Sequence, residues 1–98
     1  MSKKLALRIF INQTCSLCHT AKLALDNVGK EVPFDLEEVD INKKGNEVYQ
    51  KYCFDVPVIT LVKERLNDNQ IKEELLQMHR VDEAAMIKRL KEVLTKLN

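Results

Sequence analysis

The chain has 98 residues, and 16 basic side chains against 15 acidic ones leave a net charge of +1. That length suits a single domain over residues 1–98, burying roughly 60–70% of its unfolded surface without covalent staples. The even balance excludes the concentrated basic field of a nucleic-acid binder, and Lys3-Lys4 is too short for a localisation patch.

Leu5, Leu7, Ile9 and Ile11 alternate with Ala6, Arg8 and Phe10, which predicts a first strand. An amphipathic helix follows. Leu17, Ala21, Ala24, Leu25 and Val28 recur at helical spacing, and Gly29 stands where a helix C-terminal glycine belongs. Pro33 precedes a second strand, Phe34-Asp-Leu-Glu-Glu-Val-Asp-Ile41, whose apolar alternation breaks step near Glu37-Glu38. Asn42 to Gly45 reads as a loop, and Asn46 to Tyr52 as a short helix with Val48, Tyr49 and Tyr52 on one side. Val56-Pro57 leads into the β-branched strand Val58-Ile-Thr-Leu-Val62, and Asn67-Asp68-Asn69 is a turn. Ile71 to Met78 has a helical composition, yet a short strand around Leu75 to Met78 would complete a four-stranded sheet, and that strand is expected. Asp82 is the expected N-cap of a last helix. Val81 and Met86 form its hydrophobic staple, and Met86, Leu90, Val93, Leu94 and Leu97 form its apolar stripe. The opening strand–helix–strand is a right-handed crossover, and each helix has a single stripe to bury. The expected fold class is α/β, a mixed sheet of about four strands with helices on both faces.

The cysteines set the chemistry. Three of them, two close together, are not the even, dispersed set of a disulfide framework. They are expected to act as thiols in a reducing compartment, so the expected location is cytoplasmic. The N-terminal apolar run is broken by Arg8 and has no small-residue cleavage site, which argues against a signal peptide, and no membrane partner is expected. In Cys15-Ser-Leu-Cys18 both thiols fall in the first turn of the helix and share a face. The free N–H groups and dipole of that turn favour a thiolate on Cys15, with Cys18 deeper and shielded. Such a pair suits thiol–disulfide exchange.

Two rival patterns use the same residues. Cys15-Ser-Leu-Cys18-His19 satisfies the haem-attachment spacing C-x-x-C-H, with Met78 or Met86 as a second axial ligand. The strand-like lead-in and the lack of glycine-rich loops weigh against it. His19 instead reads as a solvated helix position beside the dithiol. Cys15, Cys18 and Cys53 with His19 or His79 would make a metal set, but structural zinc normally shows paired C-x-x-C elements, and no metal is expected. Cys53 reads as a small, partly buried apolar residue, with a third redox thiol or glutathionylation site as the alternative. Lys43, Lys44 and Lys51 read as a solvated charged face rather than a carboxylate-binding set.

With Val56-Pro57 placed just before a β-branched strand, the chain resembles the thioredoxin superfamily and, within it, the glutaredoxin-like proteins. The resemblance implies a thioredoxin-like three-layer sandwich over about Leu5 to Leu97, with the proline cis and packed against the dithiol. It implies Cys15 and Cys18 as catalytic residues and Val56, Pro57, Ser16 and Leu17 as substrate-binding ones. It also implies glutathione or a protein disulfide as partner, with no resident cofactor and glutathione as the reductant; a monomer is expected. The departures fall on the glutathione side. Lys63 to Met78 holds no glycine where such proteins carry a Gly-Gly pair, Ser16-Leu17 replaces Pro-Tyr, and Asn12-Gln-Thr14 stands where a lysine is usual. A His-Arg-Val-Asp stretch, His79 to Asp82, precedes the last helix. The expected activity is dithiol–disulfide exchange. The alternative is a non-catalytic adaptor or metal binder using the same surface.

Overall fold

The computed structural model describes residues 5–67 and 70–97, the last without its side chain. Asp68 and Asn69 of the expected turn, the Leu97 side chain, and Lys3-Lys4 lie outside the described residues. The elements are β1 (Leu5–Ile11), α1 (Ser16–Glu31), β2 (Phe34–Asp40), a 3-10 helix (Glu47–Tyr52), β3 (Val58–Asn67), β4 (Gln70–Met78) and α2 (Glu83–Leu97). The strands form one sheet in the order β2-β1-β3-β4, with β1 parallel to β2 and antiparallel to β3, and β3 antiparallel to β4. This is the expected mixed four-stranded α/β sheet.

Both faces of the sheet are covered. Leu5, Leu7, Ile9 and Ile11 of β1 join Ile59 and Leu61 of β3 under α1 and α2, which contribute Leu25, Val28, Met86 and Leu90. On the other face Phe10, Val39, Ile41 and Val58 meet Tyr49 and Tyr52 of the 3-10 helix, each ring centred 4.9 Å from Phe10. The broken alternation in β2 therefore marks no slip in register. The β1–β2 ladder runs unbroken from Leu5↔Phe34 to Ile11↔Asp40, with Phe34 serving one core and Val39 the other. Phe34 and Val39 are an odd number of residues apart, so they fall on opposite faces and serve the two cores without any shift in pairing.

Four local expectations are corrected. Gly29 does not end α1, which continues to Glu31 and is capped at Val32, its N–H bonded to the Val28 carbonyl at 2.9 Å. Pro33 supplies the stop, because the residue before a proline is driven out of the helical region. Val48 does not join Tyr49 and Tyr52; it is exposed. In a 3-10 helix side chains align every third residue, which brings the two tyrosines together and turns Val48 away. β3 extends to Asn67 rather than Val62, and β4 begins at Gln70 rather than near Leu75. Their polar halves are joined across the hairpin by Lys63–Glu74 at 3.3 Å and Lys72–Glu64 at 3.6 Å, and such cross-strand pairs override a helical composition.

The start of α2 is built as expected. Asp82 Oδ1 accepts the Ala85 N–H at 3.1 Å, and Val81 packs on the core that holds Met86. Gln77 at the end of β4 braces this cap, its Oε1 accepting the Asp82 N–H at 2.9 Å. Among the described residues no helix is long and apolar enough to cross a membrane.

Arg8, in the middle of the sheet, is 4% exposed. Its Nε donates to Glu37 at 2.7 Å, Nη1 to Glu73 at 3.0 Å and Nη2 to the Tyr49 hydroxyl at 3.1 Å. Thr60 donates its hydroxyl to the second oxygen of Glu73. Arg8→Met is expected to lower the unfolding free energy by about 3 kcal/mol in urea titrations, because Glu73 is left half-buried without its cation. Gly29→Ala should act the other way. The added Cβ would meet Phe34 Cε1 at 3.7 Å, an ordinary contact, and a helical alanine gains about 0.5–1 kcal/mol over glycine, read as a raised melting temperature.

Candidate functional site

The site forms where β1 ends. Asn12 turns the chain: its side-chain oxygen accepts from the Thr14 N–H at 3.1 Å and hydroxyl at 3.0 Å, and its carbonyl accepts the Cys15 N–H at 2.9 Å. This turn delivers Cys15 to the N-cap of α1. There the cysteine sulfur takes the part usually played by a serine or aspartate oxygen, accepting the Cys18 N–H at 3.3 Å. No acidic side chain stands in the first turn to oppose negative charge on that sulfur.

The two thiols are placed unequally. Cys15 is half-buried at the rim, while Cys18 faces the core and is 2% exposed. Burial, and after it the adjacent Cys15 sulfur, pushes the Cys18 thiol up to about 11, against smaller opposing effects of Asn12 and Lys22. A shallow depression of about 320 Å³ opens over the pair and includes Gln13, His19, Lys22 and Glu38. Lys22 and Glu38 pair there at 3.2 Å.

The Val56-Pro57 peptide bond is cis. Phe10 pairs with Val58 across the β1–β3 ladder, so Pro57 stands at the sheet end from which Cys15 departs. Pro57 is buried and Val56 half-buried on the core. The Val56 N–H donates to the Tyr52 carbonyl at 3.1 Å. Ser16 and Leu17 are exposed between the cysteines. The end of β4 closes the site: the His79 N–H donates to the Pro57 carbonyl at 2.8 Å, and His79 Nε2 lies 3.3 Å from Asp55 Oδ1. His79 holds a φ of 71°, the left-handed region usual for glycine, at a cost of about 1 kcal/mol offset by these contacts.

Other candidates lie apart. Cys53 is exposed rather than partly buried, beside Phe54, which is 93% exposed. Among the described residues no three His, Cys, Asp or Glu side chains gather to hold a metal ion, so the set of Cys15, Cys18, Cys53 and a histidine is not assembled. Met86 is buried in the core under α1, and Met78 packs on the Phe10 cluster. Lys43 lines a separate groove of about 1070 Å³ along the Arg8 face. Asp55 and the Lys22–Glu38 pair were not singled out as site residues by the sequence, and His79 was weighed there only as a metal ligand. For His79 the one signal is a turn without glycine between a strand and an N-cap.

A mixed sheet of this order with a dithiol at the start of α1 and a cis-proline beside it defines a thioredoxin fold. Solved structures agree. Thioredoxin 1 from Thermosipho africanus superposes with a TM-score of 0.61 at 20% identity, covering 95% of this chain and 98% of that one. A thioredoxin-2 of a malaria parasite gives 0.61 at 20% identity, covering 94% and 85%. The family is narrower than the fold. A model of the Glutaredoxin-like domain (DUF836) matches residues 6–91. A glutaredoxin-like protein of Dictyostelium discoideum is 34% identical over 86 residues, 83% of this chain and 70% of that protein. The chain belongs to the glutaredoxin-like domain family.

The inequality of the thiols is open to a direct check. With its thiol near 11, Cys18 is ionised in roughly one molecule in ten thousand at pH 7. In the reduced protein, iodoacetamide at pH 7 should label exposed Cys53 and rim Cys15 and spare Cys18. Peptide mapping should show Cys18 labelling rise about tenfold per pH unit toward 11.

Proposed function

We propose that the protein is a thiol–disulfide oxidoreductase of glutaredoxin-like type. Cys15 attacks as thiolate one sulfur of a substrate disulfide. That S–S bond breaks, a mixed disulfide forms on Cys15, and the other substrate thiolate leaves and takes a proton from water. Cys18 then gives its proton to water and attacks the Cys15 sulfur. The Cys15–Cys18 disulfide forms, the second substrate thiolate leaves, and the substrate has gained two electrons. Two external thiols, from glutathione or from a reductase-linked donor, restore the dithiol. Val56 and Pro57 form the ledge for the bound thiol compound, and Ser16 and Leu17 line the approach.

The observation that carries this reading is the inequality of the two sulfurs. The Cys15 sulfur is reachable and accepts a helix N–H, while Cys18 is buried one turn deeper. A resolving thiol held mostly protonated does not compete for the first attack, but once the mixed disulfide forms it is the nearest nucleophile. Family membership supports the same chemistry.

The test is disulfide reduction coupled in parallel to glutathione and to thioredoxin reductase. Cys15→Ser is expected to lose at least about a thousandfold in rate. Cys18→Ser is expected to accumulate a mixed disulfide with a protein substrate, visible as added mass. Full activity in Cys15→Ser would overturn the mechanism, and stoichiometric metal binding with no turnover would favour an adaptor.

A further inference from the structure

A second recess opens beside the dithiol, on the side of α1 away from the Lys22–Glu38 pair. It encloses about 300 Å³. Leu17, Ala21 and Ala24 form one wall, and Thr20 on that wall turns its hydroxyl back to the Ser16 carbonyl at 3.4 Å. His79, Arg80 and Val81, between β4 and α2, form the other. Beyond Ala24 the Asn27 side chain donates to Glu83 at 3.4 Å, linking α1 to α2. The recess is therefore apolar and begins at Leu17, between the two cysteines.

Among the described residues, Arg80 is the exposed cation in the wall of the recess. Asp55 is engaged by His79, Asp82 by the Ala85 N–H and Glu83 by Asn27. Arg80 is exposed, and no ion pair or side-chain hydrogen bond links it to another described residue. Neither cysteine lines the recess, but Leu17 between them does, so an apolar cleft next to the dithiol with the exposed Arg80 in its wall matches an apolar side chain followed by a carboxylate.

We propose that this recess is a specificity pocket for protein disulfides, taking an aliphatic side chain next to the substrate cysteine while Arg80 meets an acidic residue beyond it. The proposal rests on the exchange reading above and names its substrate class. Burying one leucine-sized side chain favours the matching peptide tenfold or more. The exposed Arg80 contact adds a factor of two to five.

The probes are synthetic peptides of the form Asp-Leu-Cys-Leu-Asp, Asp-Gly-Cys-Gly-Asp and Lys-Leu-Cys-Leu-Lys, each activated as a mixed disulfide with thionitrobenzoate. Attack by Cys15 on the peptide sulfur forms the protein–peptide disulfide and releases coloured thionitrobenzoate, one per event. The full chain with Cys18→Ser and Cys53→Ser gives the second-order rate. The leucine–aspartate peptide should react at least tenfold faster than the glycine one. Ala24→Phe should shrink that ratio to within twofold, and Arg80→Glu should reverse the preference between aspartate and lysine peptides. Arg80 is exposed, so its variant keeps the proposal testable even where Ala24→Phe fails to fold. Equal rates for the leucine and glycine peptides overturn the pocket alone. No release with any peptide, or release unaffected by Cys15→Ser, overturns the exchange reading and the pocket with it. A concentration-dependent dimer abolished by Arg80→Glu would assign the recess to a second copy and overturn the proposal.

Discussion

One guanidinium ties the second face of this sheet together. Arg8 sits on the strand most covered on both sides, where an unpaired charge costs several kcal/mol. Burial acts against its charge, but the Tyr49 hydroxyl and the carboxylates of Glu73 and Glu37 outweigh it and hold the group above its ordinary value. Those partners come from both edge strands and from the 3-10 helix, so one residue of β1 joins three other elements. The rings of Phe10 and Tyr49, 4.9 and 5.2 Å away, complete its surroundings. This cluster and the aromatic contact beside it stand in place of a full helix on that face.

The other face is an ordinary apolar core, and its geometry governs the dithiol. Because Ile9 and Ile11 must point under α1, that helix has to begin just past the strand end, and Cys15 falls on its cap. The rotation that buries Ala21 and Leu25 also buries Cys18 on the same side. The unequal environment of the two sulfurs is thus a by-product of packing an amphipathic helix. It requires no dedicated residue beneath them.

The sequence made β1, α1 and α2 legible because each has a strong period, and Asp82 with Val81 marked the start of α2, while Gly29 misplaced the end of α1. It made the dithiol legible because two cysteines three residues apart in a first turn have little freedom. Pro57 was legible through its place before Val58. The long β3–β4 hairpin was not, since Lys72, Glu73 and Glu74 favour helix as single residues and become strand through partners on β3 and α2. Arg8 read as the outward residue of an alternating strand. Only the pairing of Arg8 with Glu37 across the β1–β2 ladder reveals the buried ion cluster. The recess beside Leu17 depends on how closely His79 to Val81 approach α1, a tertiary distance that no local pattern encodes.

His79 joins two parts of the site that are far apart in the chain. Its N–H is bonded to Pro57 and its ring to Asp55, so the loop carrying the cis-proline and the junction leading into α2 are fastened to each other. The cis-proline loop and the outer wall of the recess are thus tied together at this one residue. The helix that bears both cysteines forms the facing wall, and the Asn27–Glu83 contact links it to α2. A substitution at His79 would therefore reach the cis-proline loop and the recess wall at once.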